Sequence, residues 1–87
     1  MRRKIVAGNW KMHGTKHFAE TLVAAVLDGL PAAAPAGGVD VVLLPPLPFL
    51  TGLIEAHSGS RLLFGAQDVS ANEEGAYTGE VSAKMLV

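Results

Sequence analysis

Hydrophobic residues lie on both faces of the first predicted element, and polar residues appear only where that element ends. The segment KIVAGNWK, residues 4–11, is typical of a β-strand in which Ile5, Ala7, Asn9 and Lys11 share one face. Apolar residues on both faces are typical of a strand in a parallel sheet, because such sheets are covered on both sides. We therefore predict a buried first strand that carries an amide and an ammonium group at its carboxyl end.

The following stretch changes to a helical period. Its apolar residues recur at spacings of three and four: Phe18, Leu22, Val23, Val26, Leu27 and Leu30. Thr15 precedes this stripe and is a suitable N-cap, while Gly29 and Pro31 are suited to stop a helix. The pattern predicts a helix near residues 15–30.

Four further elements follow between turn-forming residues. The pattern predicts strands near 39–44 and 61–67, helices near 48–57 and 80–87, and a polar loop at 68–79. The connector PAAAPAGG at 31–38 is interpreted as a long loop rather than a domain linker. We expect Thr78 or Gly79 to lie near the cap of the last helix, with Glu80 in its first turn.

Strands and helices alternate three times in this order. Such alternation predicts an α/β fold with parallel strands and right-handed crossovers, forming one domain over residues 1–87 with no second domain. The last predicted helix ends on Met85, Leu86 and Val87 without a capping residue, so we expect this domain to be cut short.

Composition excludes several classes of protein. The 87 residues are 49% hydrophobic and 17% charged with a formal net charge of −1, which is typical of a soluble globular unit. A net charge this close to zero gives no indication of a basic surface that would bind nucleic acid or a membrane. No apolar run reaches the length of a membrane span. The chain has no cysteine, and its start lacks the pattern of a signal peptide, so we expect a cytoplasmic location.

Common cofactor and metal motifs are missing from the sequence. Neither a glycine-rich dinucleotide fingerprint nor a P-loop follows the first strand. His13 and His17 have the spacing of a zinc pair but lack the intervening glutamate, and the predicted helix start separates them. His57 is expected at a helix end, and the adjacent Glu73 and Glu74 point apart, so we predict no metal site.

Asn9 and Lys11 are the strongest candidates for chemistry. In parallel α/β folds, ligands bind at the carboxyl ends of the strands, where these two residues are expected. A lysine there supplies positive charge for a phosphate or an oxyanion, and an asparagine supplies both a donor and an acceptor. The alternative is a lysine whose stem packs at the strand end while its ammonium group reaches water.

Two longer motifs carry a family resemblance. AGNWKM at 7–12, and FGAQDVS at 64–70 followed by GAYTGEVSAKML at 75–86, resemble segments of triosephosphate isomerase in the order that family has them. The resemblance implies the first three βα units of a (βα)8 barrel, with helices outside the strands. It also implies interconversion of dihydroxyacetone phosphate and glyceraldehyde 3-phosphate, in glycolysis and gluconeogenesis, without a metal or organic cofactor.

The same resemblance implies roles for individual residues. Asn9 and Lys11 match the family's substrate-binding pair, with Lys11 also catalytic through its charge, whereas Trp10 is a packing residue. Loop 68–79 matches the element through which family members form homodimers. Tyr77 and Thr78 would be dimer contacts, and Thr78 would lie close to the partner's Asn9.

Other parts of the family's active site have no counterpart here. The electrophilic histidine, the glutamate base and the phosphate-binding glycines belong to later segments, so we expect the 87-residue chain alone to be inactive. Two alternatives stay open at this point. One is a non-catalytic barrel fragment that acts as a folding or association module, and the other is a different phosphate-using βα barrel.

Overall fold

Three βα units form the structure, a computed structural model that describes residues 2–31 and 38–87. The elements are β1 (Lys4–Asn9), α1 (Lys16–Gly29), β2 (Val39–Leu44), α2 (Leu47–Ala56), β3 (Leu62–Phe64) and α3 (Ala83–Leu86). The strands form one parallel sheet in the order β1-β2-β3. The predicted α/β class is therefore confirmed, while most of the predicted connector 31–38 lies outside the described residues.

Helices α1 and α2 cover one face of the sheet. The buried cluster on this face consists of Trp10, Ala19, Val23, Leu43, Leu53 and Leu62. Helix α1 begins after Thr15, whose Oγ accepts a hydrogen bond of 3.1 Å from the Phe18 amide. The Phe18 ring then meets Trp10 edge-on, with 6.1 Å between the ring centroids. This contact fixes the turn that leads from β1 into α1.

No helix among residues 2–31 and 38–87 covers the opposite face of the sheet. Ile5 is 66% exposed and Leu63 is 50% exposed, although both are large apolar residues at internal strand positions. Within the described part of the chain, strands β1 and β3 each pair with β2 alone and are the two edges of the sheet. Strands that are apolar on both faces are typical of a sheet covered on both sides, whereas the described residues cover one side of this sheet.

An ion pair joins the amino ends of β1 and β2. Arg3 donates three hydrogen bonds of 2.7 to 3.1 Å to the carboxylate of Asp40. Hydrogen bonding from Arg3 lowers the pKa of Asp40. The pair agrees with the register in which Lys4 lies beside Val39 and Asn9 beside Leu44. Consequently β1 and β2 end level with each other at their carboxyl ends.

Two strands end earlier than the sequence pattern predicts. The first strand, predicted over 4–11, ends at Asn9, because Lys11 has a φ of +56° that no β-strand accommodates. The third strand, predicted over 61–67, is confined to Leu62–Phe64. The polar residues that follow both strands therefore belong to loops.

The predicted start of the last helix is wrong. The helix begins at Ala83 rather than near residue 80, and its N-cap is Ser82, whose Oγ accepts a 3.2 Å hydrogen bond from the Met85 amide. The backbone of Ser82 is extended and forms a parallel bridge with Ser70. This bridge keeps Glu80 in the loop, outside the helix.

Candidate functional site

The carboxyl ends of the three strands converge on one edge of the sheet. The ladder continues beyond β1 and β3, because the Trp10 amide donates to the Leu44 carbonyl at 3.2 Å and the Gly65 amide donates to the Leu43 carbonyl at 3.0 Å. The segments that leave β1 and β3 therefore lie on either side of the end of β2. At such an edge, parallel α/β proteins bind their ligands.

Asn9 and Lys11 meet at this edge through a local hydrogen bond. The Oδ1 atom of Asn9 accepts a 2.8 Å hydrogen bond from the Lys11 amide, and both residues are exposed. The expectation that the two share one strand face is wrong for Lys11, which follows the strand in a turn. Asparagine commonly stabilises such turns by bonding to the backbone two residues ahead.

Lys11 has an unusual backbone conformation. Among residues 2–31 and 38–87 it is the one non-glycine residue with positive φ, at +56°. Such a conformation costs about 1–3 kcal/mol and persists where surrounding contacts enforce it, commonly at functional sites. The strain is thus located at the residue that the sequence singles out for its charge.

Gln67 supplies the contact that holds Lys11 from the other side. Its Nε2 donates to the Lys11 carbonyl at 2.9 Å and to the Leu44 carbonyl at 2.8 Å, so both hydrogens of one amide group are used. The Lys11 residue is therefore bound at its N–H by Asn9 and at its C=O by Gln67. Sequence reasoning did not select Gln67, although it lies within the FGAQDVS motif.

Trp10 lies between Asn9 and Lys11 in sequence but belongs to the core. Its side chain is buried in the cluster with Val23 and Leu43 beneath α1 and α2. The packing role implied by the resemblance agrees with this position. The residues on either side of Trp10 are exposed, so the buried Trp10 side chain is what attaches this turn to the core.

Tyr77 and Thr78 lie on the loop between β3 and α3. Residues 71–80 are all exposed, and the Tyr77 side chain is about half accessible. A cavity of about 190 Å³ joins the base of this loop to the strand edge, since its lining includes Gln67, Ser70 and Gly79. The loop base therefore adjoins the segment that holds Lys11.

The remaining titratable candidates do not form a second site among the residues that the structure describes. His13 precedes α1 and His17 lies in its first turn, so the two are on different elements. The His57 ring lies 6.1 Å from that of Phe64 at the end of α2. Within the described ranges, no three His, Asp or Glu side chains are grouped as metal ligands. No helix there combines the length and apolar character needed to cross a membrane.

The fold and the strand edge define a class of protein. A series of βα units with parallel strands and candidate polar groups at the carboxyl ends of those strands is the building pattern of βα-barrel and open α/β enzymes. The sequence profile described as "Triosephosphate isomerase" matches residues 4–87. The chain belongs to the triosephosphate isomerase family.

Curated relatives agree with this membership. Proteins named triosephosphate isomerase from Xanthomonas campestris pv. campestris (strain 8004) and Xanthomonas oryzae pv. oryzae (strain PXO99A) are 67% and 64% identical to the chain over all 87 residues. The protein of that name from Stenotrophomonas maltophilia (strain R551-3) is 62% identical over the same length. The chain spans 33% of the length of each of these relatives.

Proposed function

We propose that this chain supplies the substrate-binding pair of a triosephosphate isomerase, which interconverts dihydroxyacetone phosphate and glyceraldehyde 3-phosphate in glycolysis and gluconeogenesis. The observation that carries the proposal is the strained Lys11, held through Asn9 and Gln67 at the carboxyl edge of a parallel sheet. The family membership and the identity of 67% to a protein of that name support the same reaction.

The substrate and the transition state of this isomerisation are both anionic. A triose phosphate carries a phosphate group, and proton abstraction next to its carbonyl generates an enediolate. The Lys11 ammonium lies on an exposed residue with no ion pair among the residues described, so its charge is available to both anions. Asn9 orients the Lys11 backbone and offers its amide hydrogens to a substrate oxygen.

The rest of the chemistry belongs to groups outside this sequence. The electrophile, the base and the phosphate-binding backbone of the family have no matching positions in the 87 residues. No metal or organic cofactor is part of the proposal, nor is a nucleic acid or membrane partner. The protein would act in the cytoplasm as a homodimer, through loop 68–79 with Tyr77 and Thr78 as contacts.

A chimera tests the proposed activity. Residues 1–87 would replace the 87 matching residues of the X. campestris relative, and we call this chimera the completed chain. We expect it to isomerise triose phosphates in a coupled dehydrogenase assay, because Asn9, Lys11 and Gln67 would complete the edge formed by the relative's other strands. A folded but inactive completed chain would contradict the proposal.

Loop 68–79 is expected to hold the dimer together. Such a long polar connector in a compact fold is commonly functional. Replacing residues 70–78 of the completed chain by a short Gly/Ser turn should therefore yield monomers of reduced activity. Analytical ultracentrifugation measures this directly, and an unchanged dimer would exclude the loop as the main interface.

Gln67 is expected to act as a positioning residue. Gln67→Glu and Gln67→Met each remove two N–H donors, so in the completed chain kcat/KM should fall about tenfold or more. Asp68→Asn is the matched control, because its Oδ1 can still accept the 2.8 Å hydrogen bond from the Val69 amide. If only the Glu variant were impaired, its charge rather than the lost hydrogen bonds would be responsible.

A purely associative function is the second candidate. The uncovered sheet face with Ile5 and Leu63, and the two unpaired sheet edges, favour association of this chain with another polypeptide. The mass of the intact protein separates the two proposals. A mature product of 9.0 kDa favours the associative module, and a product about three times larger favours the enzyme.

A further inference from the structure

The loop that carries Tyr77 is closed by its own contacts. At its base the Ser70 amide donates to the Val81 carbonyl at 2.8 Å, next to the Ser70–Ser82 bridge. The Ser70 hydroxyl donates to a Glu80 carboxylate oxygen at 3.3 Å and accepts from the Asn72 amide at 3.1 Å. One serine thus ties both ends of the loop together.

The tip is shaped by a second set of contacts. The Glu80 amide donates to the Tyr77 carbonyl at 3.0 Å, which closes a turn over residues 77–80. The ammonium group of Lys84 lies 3.3 Å from a carboxylate oxygen of Glu74, although both side chains are well exposed and such pairs contribute little. All of these contacts lie within the loop or between the loop and the start of α3.

The Tyr77 ring rests on Gly75. A Cβ atom at Gly75 would lie 2.6 Å from Cε2 of the ring and 3.0 Å from Cδ2, so only a residue without a side chain allows this approach. Gly75 also has a φ of +139°, which side-chain-bearing residues rarely adopt. One side of the ring consequently packs against the backbone at Gly75, while Tyr77 as a whole remains 48% exposed.

We propose that Gly75 is a seat that fixes the Tyr77 ring in its docking position before a second copy of this chain binds. This inference rests on the homodimer proposed above. A side chain ordered in advance loses less entropy on association, and aromatic residues are favoured in the centre of interfaces. Gly75 then sets the affinity of the dimer without itself needing to touch the partner.

The test measures the dimer dissociation constant of the completed chain by sedimentation at a series of concentrations. Gly75→Ala displaces the ring and should weaken the dimer about three- to tenfold. Gly79→Ala is the matched control in the same loop, because Gly79 also has positive φ, at +86°, but has open space where its Cβ would be. Circular dichroism verifies that each variant is folded.

A double-mutant cycle distinguishes displacement of the Tyr77 ring from general strain in the loop backbone. In a Tyr77→Ala background, Gly75→Ala should weaken the dimer less than it does in the parent, because no ring remains to be displaced and only the backbone strain at φ +139° is left. Additive effects of the two substitutions on the dissociation constant, or an equal loss of dimer affinity in Gly79→Ala, would overturn the proposed role of Gly75. An unchanged dissociation constant in Gly75→Ala would overturn it while leaving the dimer proposal intact, whereas a monomeric parent protein would overturn both.

Discussion

Replacing Lys11 by methionine in the completed chain is expected to lower kcat/KM by at least about 10- to 100-fold. A hydrogen bond to a charged group contributes about 1.5–3 kcal/mol, and every 1.4 kcal/mol corresponds to about a factor of ten. The ammonium group would contact the anionic substrate and the anionic enediolate, so its loss should affect binding and turnover together. Methionine preserves an unbranched side chain, so the change removes charge rather than bulk.

The control for this variant is Lys16→Met. Lys16 is also exposed and begins α1 a few residues later, but it has regular helical backbone. Its substitution alters the net charge of the protein by the same amount and should leave kcat/KM nearly unchanged. Steady-state kinetics that showed near-native activity for Lys11→Met, or an equal loss for Lys16→Met, would contradict a specific role of Lys11.

The sequence alone selects candidate residues for the strand edge but does not predict their geometry. An apolar strand that ends in Asn9 and Lys11 places polar groups at a sheet edge, and this conclusion needs only local periodicity. The positive φ of Lys11 is different, because Gln67 enforces it from 56 positions away in the chain. Strand alternation extrapolated past Asn9 therefore assigned Lys11 to a face that it does not occupy.

A contact between distant residues also explains why the sequence pattern predicts the start of α3 at the wrong residue. Thr78 and Gly79 are good capping residues locally, and Glu80 suits a first helical turn. The Ser70–Ser82 bridge instead holds residue 82 in extended backbone, so the helix begins at Ala83. Thr15 was predicted correctly because its cap depends only on the Phe18 amide three residues ahead. Local signals thus sufficed where no distant contact competed with them.

The 87-residue chain by itself is expected to lack isomerase activity. Proton transfer by a positioned base contributes about 10²–10⁴ in rate, and each oxyanion donor contributes about 2.7–4 kcal/mol when removed singly. Neither the family's base nor its electrophilic and phosphate-binding groups have a matching position in the chain, and the charge and hydrogen bonds proposed for Lys11 and Asn9 do not replace them. A coupled assay on the purified chain, with mass spectrometry excluding longer contaminants, should detect no turnover.

The isolated chain is also expected to self-associate rather than remain a monomer. Ile5 and Leu63 expose apolar surface on the uncovered sheet face, at 66% and 50% accessibility, and β1 and β3 present unpaired backbone edges. Three parallel strands cannot close a barrel, because tilt and stagger must be consistent around all eight.

Adding the rest of the X. campestris relative as a separate polypeptide should cover this face, reduce the association and restore some turnover. Sedimentation and thermal unfolding check the expectation, and a monomer with one sharp cooperative transition would show that the three βα units are stable without a cover.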